Sequence, residues 1–169
     1  MTITRHPLLV LARRYLLASL DAYAPGHTMS LAYVPQEDPA GPPAWPFITL
    51  SLGTVSSDGI RGAERRPYAG QPGQVATWSR AVVRVSVYAA EPSVAWTAAR
   101  SYLLSSKGSV WTARQRVAVR DVTDLIIVTD ELDGAGNRIR GDFDIVLAQG
   151  ARPINIGADV ITSVAVEVD

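Results

Sequence analysis

The sequence predicts an α+β fold: a mostly antiparallel β-sheet with two helices packed on one face and long ordered loops. Three observations predict it. Apolar residues recur at helical spacing near the N-terminus and again in mid-chain. Segments of two-residue alternation lie between and after these helices. Short connections join successive strands in the second half, which favours antiparallel neighbours. The chain has 169 residues, 47% of them hydrophobic, the proportions of a single domain over 1–169 with its own core.

The first helix covers 7–23, where Leu8, Leu11, Ala12, Tyr15, Leu16, Leu20 and Tyr23 share a face. Pro7 suits its first turn, and Pro25-Gly26 stops it. Val10 and Leu17 sit on the other side with Arg13, Arg14 and Asp21. They are either ordinary exposed aliphatics or part of a partner-facing stripe, with Arg13, Arg14 and Leu17 as interface candidates. Residues 26–46 form a Pro-rich arm, too long for an ordinary connection, with at most a short extended piece at 31–34.

"FITLSLGTV" at 47–55 alternates and predicts a strand. A long loop over 56–74 follows. Segment 75–89 alternates again, with Val83, Val85 and Val87 on one side and Arg80, Val82, Arg84 and Ser86 on the other. That difference in polarity predicts a sheet with one packed face. Pro92 opens a second helix running to about 106, with Ala95, Ala98, Ala99, Tyr102 and Leu103 inward, Lys107 in its last turn and Gly108 as C-cap. Further strands are expected at 116–120, 124–128, 139–147 and 160–168, giving the order α-β-β-α-β-β-β-β.

Lys+Arg and Asp+Glu are both 16, so no net field concentrates the whole molecule on nucleic acid or an anionic membrane. The balance is local. Residues 1–120 hold thirteen basic and six acidic side chains, and 121–169 hold three basic and ten acidic. Such a split either folds over on itself or pairs one copy with the next. Fifteen of the sixteen cations are Arg, which suits bidentate interface pairing. There is no Cys, which excludes disulfides, thiolate nucleophiles and Cys-based zinc sites. Arg13-Arg14 interrupt the apolar run of "PLLVLARRYLL", so neither a signal peptide nor a membrane span is expected. The chain reads as a soluble protein made in a cytoplasm.

The stretch "TDELDGAGNRI" at 129–139 holds the densest group of acids. Aligned on Gly134 as a calcium loop, Thr129, Glu131 and Asp133 take positions 1, 3 and 5, but Arg140 takes position 12, where a bidentate Glu is needed. Asp-Gly followed by Gly-Asn between alternating segments instead predicts a hairpin turn. Gly134-x-Gly136 has Ile139 where a dinucleotide loop needs its third Gly, and "SSKGS" at 105–109 lacks the first Gly of a phosphate loop. His6 and His27 have no nucleophile elbow to serve. Asp142 and Asp144 either form a carboxylate pair or face solvent opposite Phe143, Ile145 and Leu147. Arg61, Arg65 and Arg66, with Trp78, Arg80 and Arg84, form a loose basic set diluted by Glu64. They could grip a single strand, but an acidic protein neighbour explains them equally and also uses the acidic C-terminal third. The expectation is no catalytic residue, metal or cofactor. The interface candidates are Arg13, Arg14, Leu17, Arg61, Arg65, Arg66, Asp130, Glu131 and Asp133.

The ordered pieces resemble the neck or tail terminator proteins of tailed bacteriophages. The N-terminal amphipathic helix and "PFITLSL" after a Pro-rich arm are similar. So are "RVSVYA" with the Ala-rich "SVAWTAARSYLL", "VTDLIIV" leading into "NRIRGDFDIVL", and the closing "ITSVAVEV". Order and spacing carry the resemblance. It implies a non-enzymatic virion protein of the tail or neck, a small α+β subunit forming a homohexameric ring on the head-proximal end of the tail tube. That ring would end tube growth and join the tail to the head connector. The implied partners are other copies of itself, the tail tube protein, the connector or adaptor, and a sheath protein where the tail contracts. DNA would pass through the ring without sequence-specific binding. Another head–tail adaptor or tail-tube-like subunit is the nearest alternative, and a small hydrolase or ligand-binding domain a more distant one.

Overall fold

The computed structural model describes residues 6–34, 43–58, 73–75, 78–132, 136–150 and 154–156. They form an α+β fold built on a mixed, mostly antiparallel sheet of six strands with three helices. Helix α1 (Pro7–Tyr23) is followed by strands β1 (Ser30–Val34), β2 (Phe47–Asp58), β3 (Gly73–Val75) and β4 (Trp78–Tyr88). Helices α2 (Ser93–Leu103) and α3 (Ser106–Gln115) come next. Strands β5 (Ala118–Val122), β6 (Ile126–Leu132), β7 (Gly136–Gly150) and β8 (Ile154–Ile156) complete the described chain. The main sheet runs β1-β2-β4-β7-β5, with β6 also paired to β7. Within it only β1 and β2 are parallel; β3 and β8 form a separate antiparallel pair.

Two-residue alternation fixes which sheet face is buried. Ile48 and Leu50 of β2, Ala81, Val83, Val85 and Val87 of β4, and Ile145 and Leu147 of β7 are all fully buried. Register aligns them in rows, Leu50 beside Val85 and Val83 beside Ile145. Against this face α1 buries Leu8, Leu11, Ala12, Tyr15, Leu16 and Leu20, and α2 buries Ala95, Ala98, Ala99 and Tyr102. Each large aliphatic so buried contributes about 1.5–3 kcal/mol relative to exposure. The three alanines let α2 lie close, and the Tyr15 hydroxyl donates to the Ala99 carbonyl at 2.7 Å. His6 caps α1 by accepting from the Leu8 N–H through Nδ1. Tyr23, expected inward, is largely exposed, its ring edge-on to Tyr102.

The second helix is two helices, which corrects the expected count and the role of Gly108. Its first part ends at Leu103, and Ser105 adopts an extended conformation whose hydroxyl accepts from the Gly108 N–H at 3.0 Å. That is an N-cap, and it starts α3. Gly108 lies inside α3, where a Cβ would collide with the Tyr102 carbonyl oxygen. Arg116, expected to open a strand, instead ends α3 in the left-handed region with φ 52°. Both ends of the expected loop at 56–74 are strand, since β2 reaches Asp58 and β3 begins at Gly73; 59–72 lie outside the described residues. Of the arm at 26–46, residues 30–34 are strand β1, hydrogen-bonded parallel to β2. The strand expected at 160–168 lies outside the described residues.

Candidate docking surfaces at the two ends of the sheet

Strand β7 is the spine of the molecule. One side pairs with β4 from Arg140 to Gly150; the other pairs with β6 from Gly136 to Asp142 and with β5 from Ile145 to Ala148. Gly136–Ile139 pair with β6 alone, so the β6–β7 hairpin projects beyond the body of the sheet. The acidic stretch is therefore a hairpin. Asp130 is in register with Arg138, Glu131 with Asn137, and Leu132 with Gly136. Where the hairpin joins the body, Gly141 packs so closely on Pro92 and Leu125 that no side chain fits. Beyond that contact α2 no longer covers the strands. Ile126 and Ile127 are 64% and 52% exposed, and Ile139 is also exposed. With Arg140 in the place of the bidentate anion, millimolar calcium should neither release heat nor raise the melting temperature; clear stabilisation would contradict the hairpin-only role.

The opposite end of β7 meets α3. Ala148 and Gly150 border an open groove with Thr112, Ala113 and Arg116. On another side of α3, Tyr102, Ser106, Lys107, Val110, Trp111 and Arg114 line a second groove of about 390 Å³. α3 buries only Gly108 completely. Val110 is 51% exposed and Leu104, between α2 and α3, 82%. Trp111 is held by its edge-on contact with Tyr15, ring centroids 5.5 Å apart. Between Glu91 and Asp121 the sequence has no acidic residue but carries Arg100, Lys107, Arg114, Arg116 and Arg120. Arg100 pairs with Asp124 at 3.1 Å and lies over the Trp96 ring. Lys107, Arg114 and Arg116 are exposed and make no ion pair among the described residues.

The charge split is partly folded over within the chain. Arg84 pairs with Asp144 across β4 and β7 at 3.2 Å, and Arg100–Asp124 likewise joins the basic part to the acidic part. Exposed pairs of this kind are worth about 0.2–1 kcal/mol, so they consume charge more than they add stability. Asp142 and Asp144 are not a carboxylate dyad. Asp142 takes the Arg140 Nε at 3.2 Å, and Asp144 takes Arg84 while its N–H donates to the Thr123 hydroxyl. His27 lies 3.9 Å from Asp21, and the Nδ1 of His6 is occupied as a cap.

Of the residues singled out from sequence, Arg13 is half-buried with its guanidinium 5.8 Å from the Tyr33 ring centroid, which ties it to β1. Arg14 is exposed and Leu17 half-buried. Asp130 and Glu131 are on the projecting hairpin. Arg61, Arg65, Arg66 and Asp133 lie outside the described residues. The basic pole at α3 was missed. Its signal was the acid-free run from 92 to 120, masked because 107–108 read as the end of a helix.

Among the described residues no group of three or more His, Cys, Asp and Glu is placed to hold a metal, and no helix is long and apolar enough to cross a membrane. No protein-family model matches this chain, and no curated protein matches it.

Proposed function

We propose that this protein is a structural ring subunit that ends the growth of a phage tail tube and joins the tail to the head connector. The resemblance in segment order supplies the class. The observation that carries the reading is the difference between the two ends of the sheet. One end is a narrow two-stranded hairpin; the other is a broad pole made of α3 with the ends of β2, β4 and β7. A terminator must bind the growing tip with one face and offer no similar face to the next tube ring. Subunits with dissimilar ends supply two such faces when assembled in a ring. A tube subunit, by contrast, must present ends that fit each other. Deleting the gene and imaging the lysate by electron microscopy tests the reading. Overlong or unjoined tails beside DNA-filled heads are expected. Tails of normal length on heads, or no tubes at all, would overturn it.

A further inference from the structure

We propose that the two open edges of the sheet pair between copies, the β6 edge of one chain adding to the β1 edge of the next. The contact deepens the ring reading and rests on it, and it names the two surfaces that meet between neighbours.

β1 and β6 lie at opposite sides of the main sheet, and among the described residues each pairs with a strand on one side only. Register sets the two level. One row across the sheet runs from Leu31 through Ile48, Val87 and Gly141 to Ile127. The next runs from Ala32 through Thr49, Ser86 and Asp142 to Ile126, and Ser30 shares a third with Val128. β1 is parallel to β2, and three antiparallel steps follow, so β6 runs opposite to β1.

Hydrogen bonds show which backbone groups reach the edges. The Ser30 N–H donates to the Pro46 carbonyl at 3.3 Å, so Ser30 turns toward β2 and Leu31 away from it. Carried across the rows, the same alternation turns Asp144 toward the β5–β6 side. The Thr123 N–H does donate to the Asp144 carbonyl there, at 2.9 Å. Ile126 and Val128 then face β7, and Ile127 faces out. Leu31 and Ile127 therefore direct their N–H and C=O groups outward from the same row. Set side by side in opposite directions, they complete an antiparallel hydrogen-bonded pair.

Neither edge is protected. Residues 30–34 and 126–129 carry no charge and no proline, the usual defences of a strand left open to solvent. Ile126 and Ile127 are 64% and 52% exposed on opposite faces of β6. A neighbour's β1 covers both, with Leu31 beside Ile127 and Ala32 beside Ile126. Pairing β6 with β6, or β1 with β1, about a two-fold axis would leave the other edge of each copy open. Two different edges make a heterologous contact, which repeats and closes into a ring when the rotation allows. This contact is lateral, so the hairpin end and the α3 pole stay free to be the two ring faces.

The chain has no Cys, so cysteines placed in the full-length protein report the contact directly. Ala32→Cys and Ile126→Cys fall opposite each other in a non-hydrogen-bonded pair. Cα atoms there are about 4.5 Å apart, within disulfide reach. Under mild oxidation a mixture of the two single variants, one carrying a size tag, should give mixed disulfide dimers, and neither variant alone should dimerise. The double variant should give a ladder on a non-reducing gel that stops at a closed ring. Ile127→Pro removes only an outward N–H, and Ile127→Lys charges the edge. Each should raise the dissociation constant in sedimentation velocity at least about tenfold, with a melting temperature near wild type. Absence of the mixed disulfide, a wild type that stays monomeric, or folded Ile127 variants that assemble normally would overturn the contact. Dimers of either single variant alone would assign that edge to two-fold pairing and also overturn it. A ladder that never closes keeps this contact and overturns the ring. A ring that forms without the mixed disulfide keeps the ring and overturns this contact.

Discussion

Tyr15→Ala is expected to cost about 3–5 kcal/mol, enough to unfold most of a marginally stable domain at 37 °C. Tyr15 is fully buried where α1, α2 and α3 converge. Its ring lies edge-on to Tyr102 and Trp111, both at 5.5 Å between centroids, and its hydroxyl donates to the Ala99 carbonyl. Removing it opens a cavity beneath three helices at once. Tyr15→Phe keeps the ring and loses only the hydrogen bond, for about 1 kcal/mol. Urea denaturation of the three proteins reads the difference, and a Phe variant as unstable as the Ala variant would contradict the packing account. The same residue makes stability fall in alkali. Burial, and after it the neighbouring Tyr102, raises the Tyr15 phenol above its ordinary value of 10.0; Tyr102 is raised by burial and then by Tyr23. The unfolded chain therefore releases these protons first. Stability is fully present below about pH 10 and is lost as pH rises beyond it. Tyr15→Phe should flatten that loss.

Gly108→Ala should destabilise, against the usual sign. Alanine normally favours a helix interior over glycine by about 1 kcal/mol. Here its methyl group would meet the Tyr102 carbonyl oxygen, which already accepts from the Ser105 N–H and hydroxyl. Either α3 moves off the end of α2 or the Ser105 cap breaks. An overpacked site of this kind costs about 1–3 kcal/mol, and Ser105→Ala should cost about 1 kcal/mol by loss of the cap alone. Thermal melting checks both. A Gly108→Ala protein with an unchanged or raised melting temperature would contradict the tight approach of α2 and α3.

Much of this fold was legible because its signals are local. The alternation in β4 gave the buried and open faces of the sheet, and the spacing from Leu8 to Leu20 gave the buried face of α1. The turn residues after Leu132 gave the hairpin that the β6–β7 register shows. α3 was not legible, because its only large apolar residues are Val110 and Trp111 and it buries only Gly108 completely; two such residues set no period. Nor was the parallel pairing of β1 with β2, which depends on where a distant strand already lies. The candidate site was half legible. Acids adjacent in sequence drew notice to the hairpin. Cations adjacent in sequence drew it to Arg65 and Arg66, whereas Lys107 and Arg114 stand apart in the chain and share a surface only through two turns of helix. The charge split was legible as a sum, but not the share already neutralised by Arg84–Asp144 and Arg100–Asp124.

The late position of β7 constrains how the chain is made. β4, β5 and β6 all pair with it, yet it is synthesised last of the four. At about 5–20 residues per second, the ribosome adds the segment from Tyr88 to Gly150 over several seconds, while one edge of β4 lacks its partner. During that interval the nascent chain resembles an edge-exposed sheet, the form most prone to pairing with its neighbours on a polysome. Chains released by premature termination before residue 136 should be recovered in the insoluble fraction. High-level production should respond to slower initiation or added chaperone more than to buffer conditions after lysis.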